Sequence, residues 1–146
     1  MQEPLKIEIK YEYPDTGKIE RIAAGDWIDL KAAQTVELKQ GEFKLIDLGV
    51  AMKLPKGYEA IMAPRSSTFK NFGIIQANSI GVIDESYCGP EDYWKLPVIA
   101  LRDTKINRGD RICQFRLLPH QPPVMFETKE ELAGENRGGF GSTGKN

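Results

Sequence analysis

The sequence predicts an all-β fold: a β-barrel or jelly-roll-like domain with one short helix and a mobile C-terminal arm. Three observations carry this. Short apolar or alternating stretches recur at roughly 8–12-residue spacing, as in sandwiches and barrels. Turn signals separate them. Fourteen glycines and nine prolines among 146 residues suit many turns rather than long helices.

The elements follow in order. Leu5-Lys6-Ile7-Glu8-Ile9-Lys10-Tyr11-Glu12-Tyr13 alternates apolar and charged residues without a break, the period of a half-buried strand. Pro14-Asp15-Thr16-Gly17 reads as a turn. Strand candidates then run Thr35–Leu38, Phe43–Ile46, Gly49–Lys53, Tyr58–Ala63, Gly73–Gln76, Ile80–Ile83, Trp94–Leu101, Arg111–Leu117 and Val124–Glu127. Leu54-Pro55-Lys56-Gly57 and Asn107-Arg108-Gly109-Asp110 are turn signals between them. The one helix candidate is about Ser66–Asn71, with Ser66 placed to cap its start and Gly73 just past its end. From Ala133 onward no apolar pattern remains. The chain therefore divides into a β domain, 1–132, and a flexible glycine-rich arm, 133–146, with no internal repeat.

Bulk properties exclude several classes. A length of 146 residues suits one domain. The formal net charge of -1 offers no basic surplus for nucleic acid, so any polyanion site must be a local concentration of arginine and backbone donors. Cys88 and Cys113 make no metal-ligand or disulfide spacing and read as free thiols of a reducing compartment. Met1-Gln2-Glu3-Pro4 lacks the regions of a signal peptide, and no apolar run approaches the ~18 residues of a membrane span. The expected setting is cytoplasmic, or the host cytoplasm for a phage-encoded chain, with no membrane partner.

Five segments carry chemistry. Gly81-Val82-Ile83-Asp84-Glu85-Ser86-Tyr87-Cys88-Gly89 puts an acid at the end of an apolar strand and a tyrosine three residues on. Asp84 can accept a proton from water; the same placement suits an acid that opens a turn, and Tyr87 suits a packing ring as well as a ligand platform. Pro64-Arg65-Ser66-Ser67 lies between a strand and the short helix, either an anion site or an ordinary helix start. Gly25-Asp26-Trp27-Ile28-Asp29-Leu30 and Gly109-Asp110-Arg111-Ile112-Cys113-Gln114 are, taken singly, turn and surface residues. Arg137-Gly138-Gly139-Phe140-Gly141-Ser142-Thr143-Gly144 holds four glycines, two hydroxyls, an arginine and one ring. Gly allows close main-chain approach to a ligand, and hydroxyls, N–H groups and Arg suit phosphate oxygens. A disordered terminus has the same composition.

Together and in this order, the five segments from Ala24 to Gly144 resemble the all-β dUTP diphosphatase (dUTPase) family, in a phage or Gram-positive form. The resemblance implies hydrolysis of dUTP to dUMP and pyrophosphate, which limits uracil in DNA and supplies dUMP for dTMP synthesis. It implies that Asp84 activates the water attacking the α-phosphorus. Tyr87 would stack on the deoxyribose, leaving no room for a 2′-hydroxyl. Asn78 and the backbone of Ile80–Val82, including Gly81 and Val82, would meet the uracil edge. Arg65, Ser66, Ser67 and Gln114 would contact phosphates. Phe140 would close over the uracil, with Arg137, Gly141, Ser142 and Thr143 toward the phosphates. Mg2+ would be held mainly by the triphosphate, with Asp29 a water-mediated contact. The family is typically a homotrimer whose sites lie between subunits, the tail of one chain reaching over a site formed by the other two.

Three departures stand out. The first segment is longer than the common family form and offers both Asp26 and Asp29. Arg137 stands three residues before Phe140, where most members place it five before. Pro90-Glu91-Asp92-Tyr93-Trp94-Lys95-Leu96-Pro97 is longer and more aromatic than usual, and is expected at the site's rim or the trimer surface, where a regulatory protein partner could bind. Two other functions share the fold: a dCTP deaminase, for which Glu85 is the one acid near enough to serve as base, and a regulatory protein acting through a partner.

Overall fold

The computed structural model describes residues 3–20 and 25–141. Among them run eleven strands and one helix: β1 (Glu8–Tyr11), β2 (Ile28–Lys31), β3 (Val36–Leu38), β4 (Phe43–Asp47), β5 (Val50–Lys53), β6 (Tyr58–Ala63), α1 (Thr68–Phe72), β7 (Ile74–Gln76), β8 (Gly81–Ile83), β9 (Lys95–Ala100), β10 (Thr104–Ile106) and β11 (Arg111–Pro119). They form a four-stranded sheet β2-β11-β6-β8, a three-stranded sheet β4-β9-β7, and the pairs β1-β5 and β10-β3. All pairings are antiparallel.

Alternation puts the core inside. In β9, Leu96, Val98 and Ala100 are buried while Lys95, Pro97 and Ile99 face outward or lie half-covered. Trp94 and Phe115 meet edge to face in the centre, ring centroids 5.2 Å apart, among Leu30, Ile46, Met62, Ile74 and Ile106. Each such side chain contributes roughly 1.5–3 kcal/mol by leaving water. The pairing of β11 with β2 shifts register between Arg111 and Cys113. This bulge turns both Ile112 and Cys113 inward and sets Gln114 beside Asp29 of β2.

Several expectations change. The alternating segment 5–13 supplies a ladder only over β1, where Ile9 stays exposed; Ile7 and Tyr11 alone reach the core. The reason is that β1 pairs with β5 in a sheet of two strands. Val124–Glu127 has strand composition but lies exposed, with no strand beside it among the described residues. Conversely, β2 and β10 carry too few residues for a period to show; their neighbours β11 and β3 recruit them. The helix starts later than its sequence suggests, capped positionally by Ser67 without a side-chain bond. Thr68 holds the turn instead: its Oγ1 accepts from the Arg65 N–H at 2.8 Å and donates to the Ile112 carbonyl at 3.0 Å. Gly73 ends α1 at φ 63°, and a Cβ there would come within 2.6 Å of Arg102. Finally, the stretch Pro90–Pro97 is not one surface loop. Trp94 and Leu96 are 1% exposed, so Pro90–Tyr93 and the outward-facing Lys95 form its surface while its second half belongs to the core.

Candidate active site

Strand β8 is the edge of its sheet. One side of its backbone pairs with β6, Gly81 opposite Met62 and Ile83 opposite Ala60. The other side has no strand beside it among the described residues, leaving backbone donors and acceptors for a planar, hydrogen-bonding ligand. The turn before β8 holds Asn78 exposed, with its carbonyl accepting the Ile80 N–H at 2.7 Å. Ser79 takes φ 63°, an uncommon value for a non-glycine residue that makes this turn tight. Gly81 is buried, and a Cβ there would press on Met62 Cε at 3.2 Å. Val82 points outward, 62% exposed.

Asp84 follows β8 and does open a turn, as one reading of the sequence has it: the Tyr87 N–H donates to its carbonyl at 3.0 Å. Its side chain has a second employment. Oδ2 accepts both the Ser86 hydroxyl and the Ser86 N–H, the latter at 2.8 Å. The Ser86 hydroxyl, then the Ser86 amide, and more weakly His120 hold the Asp84 carboxyl below the usual carboxylate value. The group is thus ionised at neutral pH, with Oδ2 anchored, on a residue that is itself exposed. Glu85 faces elsewhere, accepting the Gly57 N–H and lying 3.8 Å from His120 Nε2. Tyr87 is 40% exposed, and its hydroxyl donates to the Tyr93 carbonyl at 3.3 Å.

A second cluster gathers at the far end of β6. Arg65 Nε lies 3.1 Å from Asp29 Oδ1, and Arg111 Nη1 lies 3.9 Å from Oδ2. Arg111 also meets Glu20 at 3.4 Å, and Lys31 meets it at 3.8 Å. Three cations thus face two acids, a local positive surplus for an anion. Gln114 Nε2 donates to the Pro64 carbonyl at 3.1 Å, binding the segment Pro64–Ser67 to β11. Ser66 is exposed and Ser67 half-buried. With only five residues, α1 is too short to supply the helix-terminus field expected of it, so what this cluster can offer an anion comes from its side chains. This cluster and Asp84 lie toward opposite ends of β6, roughly 13 Å apart at strand rise.

The tail stands away from both. Every residue from Pro119 to Gly141 is exposed. Phe140 is 115% exposed at φ 52°, between Gly138 and Gly141 at φ 81° each. Arg137 is exposed; Ser142 and Thr143 lie outside the described residues. Among the described residues, no three His, Cys, Asp or Glu side chains cluster as metal ligands would.

Sequence reasoning passed over Ser86, though its spacing two residues after an acid is the signal of a side chain bonding its own turn. It gave no role to Arg111, whose meeting with Asp29 depends on the β11 bulge.

Comparison with known proteins places this geometry in context. The dUTPase family profile matches residues 20–144. The SPbeta prophage-derived deoxyuridine 5'-triphosphate nucleotidohydrolase YosS of Bacillus subtilis (strain 168) is 56% identical over 140 residues, covering 96% of this chain and 99% of its own. The deoxyuridine 5'-triphosphate nucleotidohydrolase of Neorickettsia sennetsu is 37% identical, with 99% of each chain covered. Among solved structures, a Staphylococcus bacteriophage 80alpha dUTPase with dUpNHpp superposes with TM-score 0.78 at 21% identity, covering 95% of this chain and 98% of that one. A dUTPase from phage phi11 of S. aureus, described with a structural Mg(II) ion, superposes with TM-score 0.75 at 19% identity, covering 86% and 97%. These last two share the fold. The match of the family profile across most of the chain, with the two curated relatives aligned nearly end to end, establishes that this chain belongs to the dUTPase family.

Proposed function

We propose that the protein is a dUTP diphosphatase, hydrolysing dUTP to dUMP and pyrophosphate and so limiting uracil in DNA while supplying dUMP for dTMP synthesis. The observation that carries this reading is Asp84: a carboxylate held ionised, one oxygen anchored by Ser86, at the end of an edge strand with one side open. Its Oδ1 takes a proton from water as the water oxygen attacks the α-phosphorus. The bond from that phosphorus to the bridging oxygen breaks, and pyrophosphate leaves. Asn78 and the unpaired side of Gly81–Val82 pair with uracil, and Tyr87 lies against the deoxyribose. Arg65, Ser66, Ser67 and Gln114 meet the phosphates. Arg65 reaches them in a fixed pose because Asp29 anchors its guanidinium.

The tail closes the site, Phe140 over the base, with Arg137, Gly141, Ser142 and Thr143 at the phosphates. Asp29 already faces two guanidinium groups, so it suits a metal only through water, and Mg2+ belongs mainly to the triphosphate. When bound, the ion neutralises phosphate charge and steadies the chain of phosphates for in-line attack.

A homotrimer with shared sites fits the separation of the two clusters along β6. It also fits Val124, Met125 and Phe126, which are 62%, 91% and 93% exposed, an apolar run that a second copy would cover. Sedimentation at about three times 16.4 kDa is the expected result. The protein acts in the cytoplasm, consistent with its free cysteines, Cys88 exposed and Cys113 buried. A deaminase reading finds no support, since Glu85 is bonded to Gly57 and faces His120. The decisive experiment measures pyrophosphate release from dUTP, dCTP and UTP. Release from dUTP alone is expected; ammonia from dCTP without pyrophosphate would overturn the reading.

A further inference from the structure

We propose that Lys10 is a positioning residue for Tyr87 and sets how strictly the site refuses ribonucleotides. The inference rests on the reading of Tyr87 as the ring that lies against the deoxyribose.

The argument begins at Trp94. Its side chain is 1% exposed. Its N–H donates to the Val50 carbonyl at 2.8 Å, and its carbonyl accepts the Leu48 N–H at 3.0 Å. The backbone at Tyr93–Trp94 is therefore fixed to the core. The turn before it is clasped on itself. The Gly89 N–H donates to Asp92 Oδ2 at 2.8 Å, and the Asp92 N–H to the Gly89 carbonyl at 3.1 Å. A Cβ on residue 89 would meet Asp92 Oδ2 at 2.8 Å, so the clasp closes this tightly only around glycine.

Lys10 reaches this turn from β1, eighty positions away in the chain. Its Nζ donates to the Pro90 carbonyl at 2.9 Å and stands 5.5 Å from the Tyr93 ring centroid, within cation–π reach. One ammonium thus touches both ends of the exposed part of the turn. The Tyr93 carbonyl, inside that grip, accepts the Tyr87 hydroxyl. The Tyr87 N–H is held by the Asp84 carbonyl. The ring is thus fastened at both ends while the residue stays exposed.

Excluding a single hydroxyl by contact requires a wall that does not yield. A ring fastened only through its backbone swings about two side-chain torsions and makes room for a 2′-oxygen. The hydroxyl bond to Tyr93 removes that freedom, and Lys10 keeps Tyr93 where the bond can form. Its effect therefore falls on the ratio of kcat/KM for dUTP to that for UTP, more than on either value alone.

The test compares this ratio in Lys10→Met, Lys10→Arg, Tyr87→Phe, Tyr87→Ala and the native protein. Met keeps the apolar stem and loses the ammonium; Arg keeps a donor and a cation. Lys53→Met, which removes only the surface pair with Glu8 on the same two strands, is the control. Lys10→Met and Tyr87→Phe are each expected to lower the ratio by about 3–10-fold, the range one neutral hydrogen bond supports. The change should come from a lower KM for UTP. Lys10→Arg restores the native ratio, Lys53→Met keeps it, and Lys10→Met adds nothing to Tyr87→Phe. If Tyr87→Ala collapses the ratio while Lys10→Met leaves it native, the inference is overturned and the reading of Tyr87 stands. If Tyr87→Ala itself leaves the ratio native, that reading fails too. Equal loss on both nucleotides in Lys10→Met would assign Lys10 a merely structural role and also overturn the proposal.

Discussion

Two rings in this molecule suit a nucleotide, and they are held in opposite ways. Tyr87 is bonded through its N–H to Asp84 and through its hydroxyl to Tyr93, a step from the largest fully buried side chain among the described residues, Trp94. Phe140 stands wholly in solvent at the end of more than twenty exposed residues. The contrast separates two costs. Groups between Asp84 and Trp94 are ordered by folding, so on the proposed reading the site's base and one wall would exist before substrate arrives. On the proposed reading the tail is ordered only on closing over substrate, so that entropic cost would oppose binding rather than folding.

The comparison breaks first at Asp84. Asp84→Asn keeps the size of the side chain and removes the proton acceptor. Turnover should fall by about 10²–10⁴, the usual contribution of a general base, while the affinity for a non-hydrolysable dUTP analogue stays nearly native. A fall in kcat of less than about tenfold would mean that another group takes the proton.

Stability should divide along the same line. Trp94→Ala removes a fully buried side chain that packs on Phe115, and should cost about 3–5 kcal/mol of unfolding free energy. Trp94→Phe should cost less, since the buried indole N–H has no hydrogen-bond partner to lose among the described residues. Phe140→Ala should leave the melting temperature unchanged. Equal destabilisation by Trp94→Ala and Phe140→Ala in urea titration would show that the tail is packed in solution.

Cutting the chain before Arg137 sharpens the comparison from the tail's side. The fold and the assembly should persist, because residues 137–141 bury nothing. Yet kcat/KM for dUTP should drop by at least about 5–150-fold, the equivalent of the roughly 1–3 kcal/mol that a base–aromatic stack supplies, before lost phosphate contacts are counted. An unchanged kcat/KM would return the tail to the disordered terminus its composition also allows.

Much of this was legible in the sequence where local pattern and tertiary context agree. Tyr58–Ala63 alternates and is β6; Gly73 sits where α1 needs a left-handed residue. Legibility failed wherever the deciding partner is distant in sequence. Val124–Glu127 has strand composition and no strand to join among the described residues. Thr104–Ile106 has no period of its own and becomes β10 because β3 is beside it. Arg65, Asp29 and Gln114 belong to three separate motifs, but the bulge that sets Gln114 against Asp29 leaves no local signature. The grip of Lys10 on Pro90 joins residues eighty positions apart, and nothing in either segment announces the other.

The smallest expected effect tests how the rigid half of the site tunes its base. Ser86 gives Asp84 Oδ2 two hydrogen bonds, and both favour the charged form. Asp84 therefore stays a carboxylate to lower pH than an ordinary aspartate. Its depressed value adds stability above the unfolded-state pKa, a contribution lost as pH falls through the folded one. For catalysis the competent form is the carboxylate, so the acid limb of kcat/KM should lie below the ordinary carboxylate range. Ser86→Ala removes the hydroxyl, the largest of the lowering influences, and leaves the backbone bond. The pKa then rises, and the acid limb moves toward neutral pH while the neutral plateau barely changes. Acid titration of kcat/KM for the native and Ser86→Ala proteins reads the shift directly. A limb that stays put, or moves to lower pH, would show that the Ser86 hydroxyl does not hold the charge on Asp84, and that the base owes its poise to groups brought by the substrate.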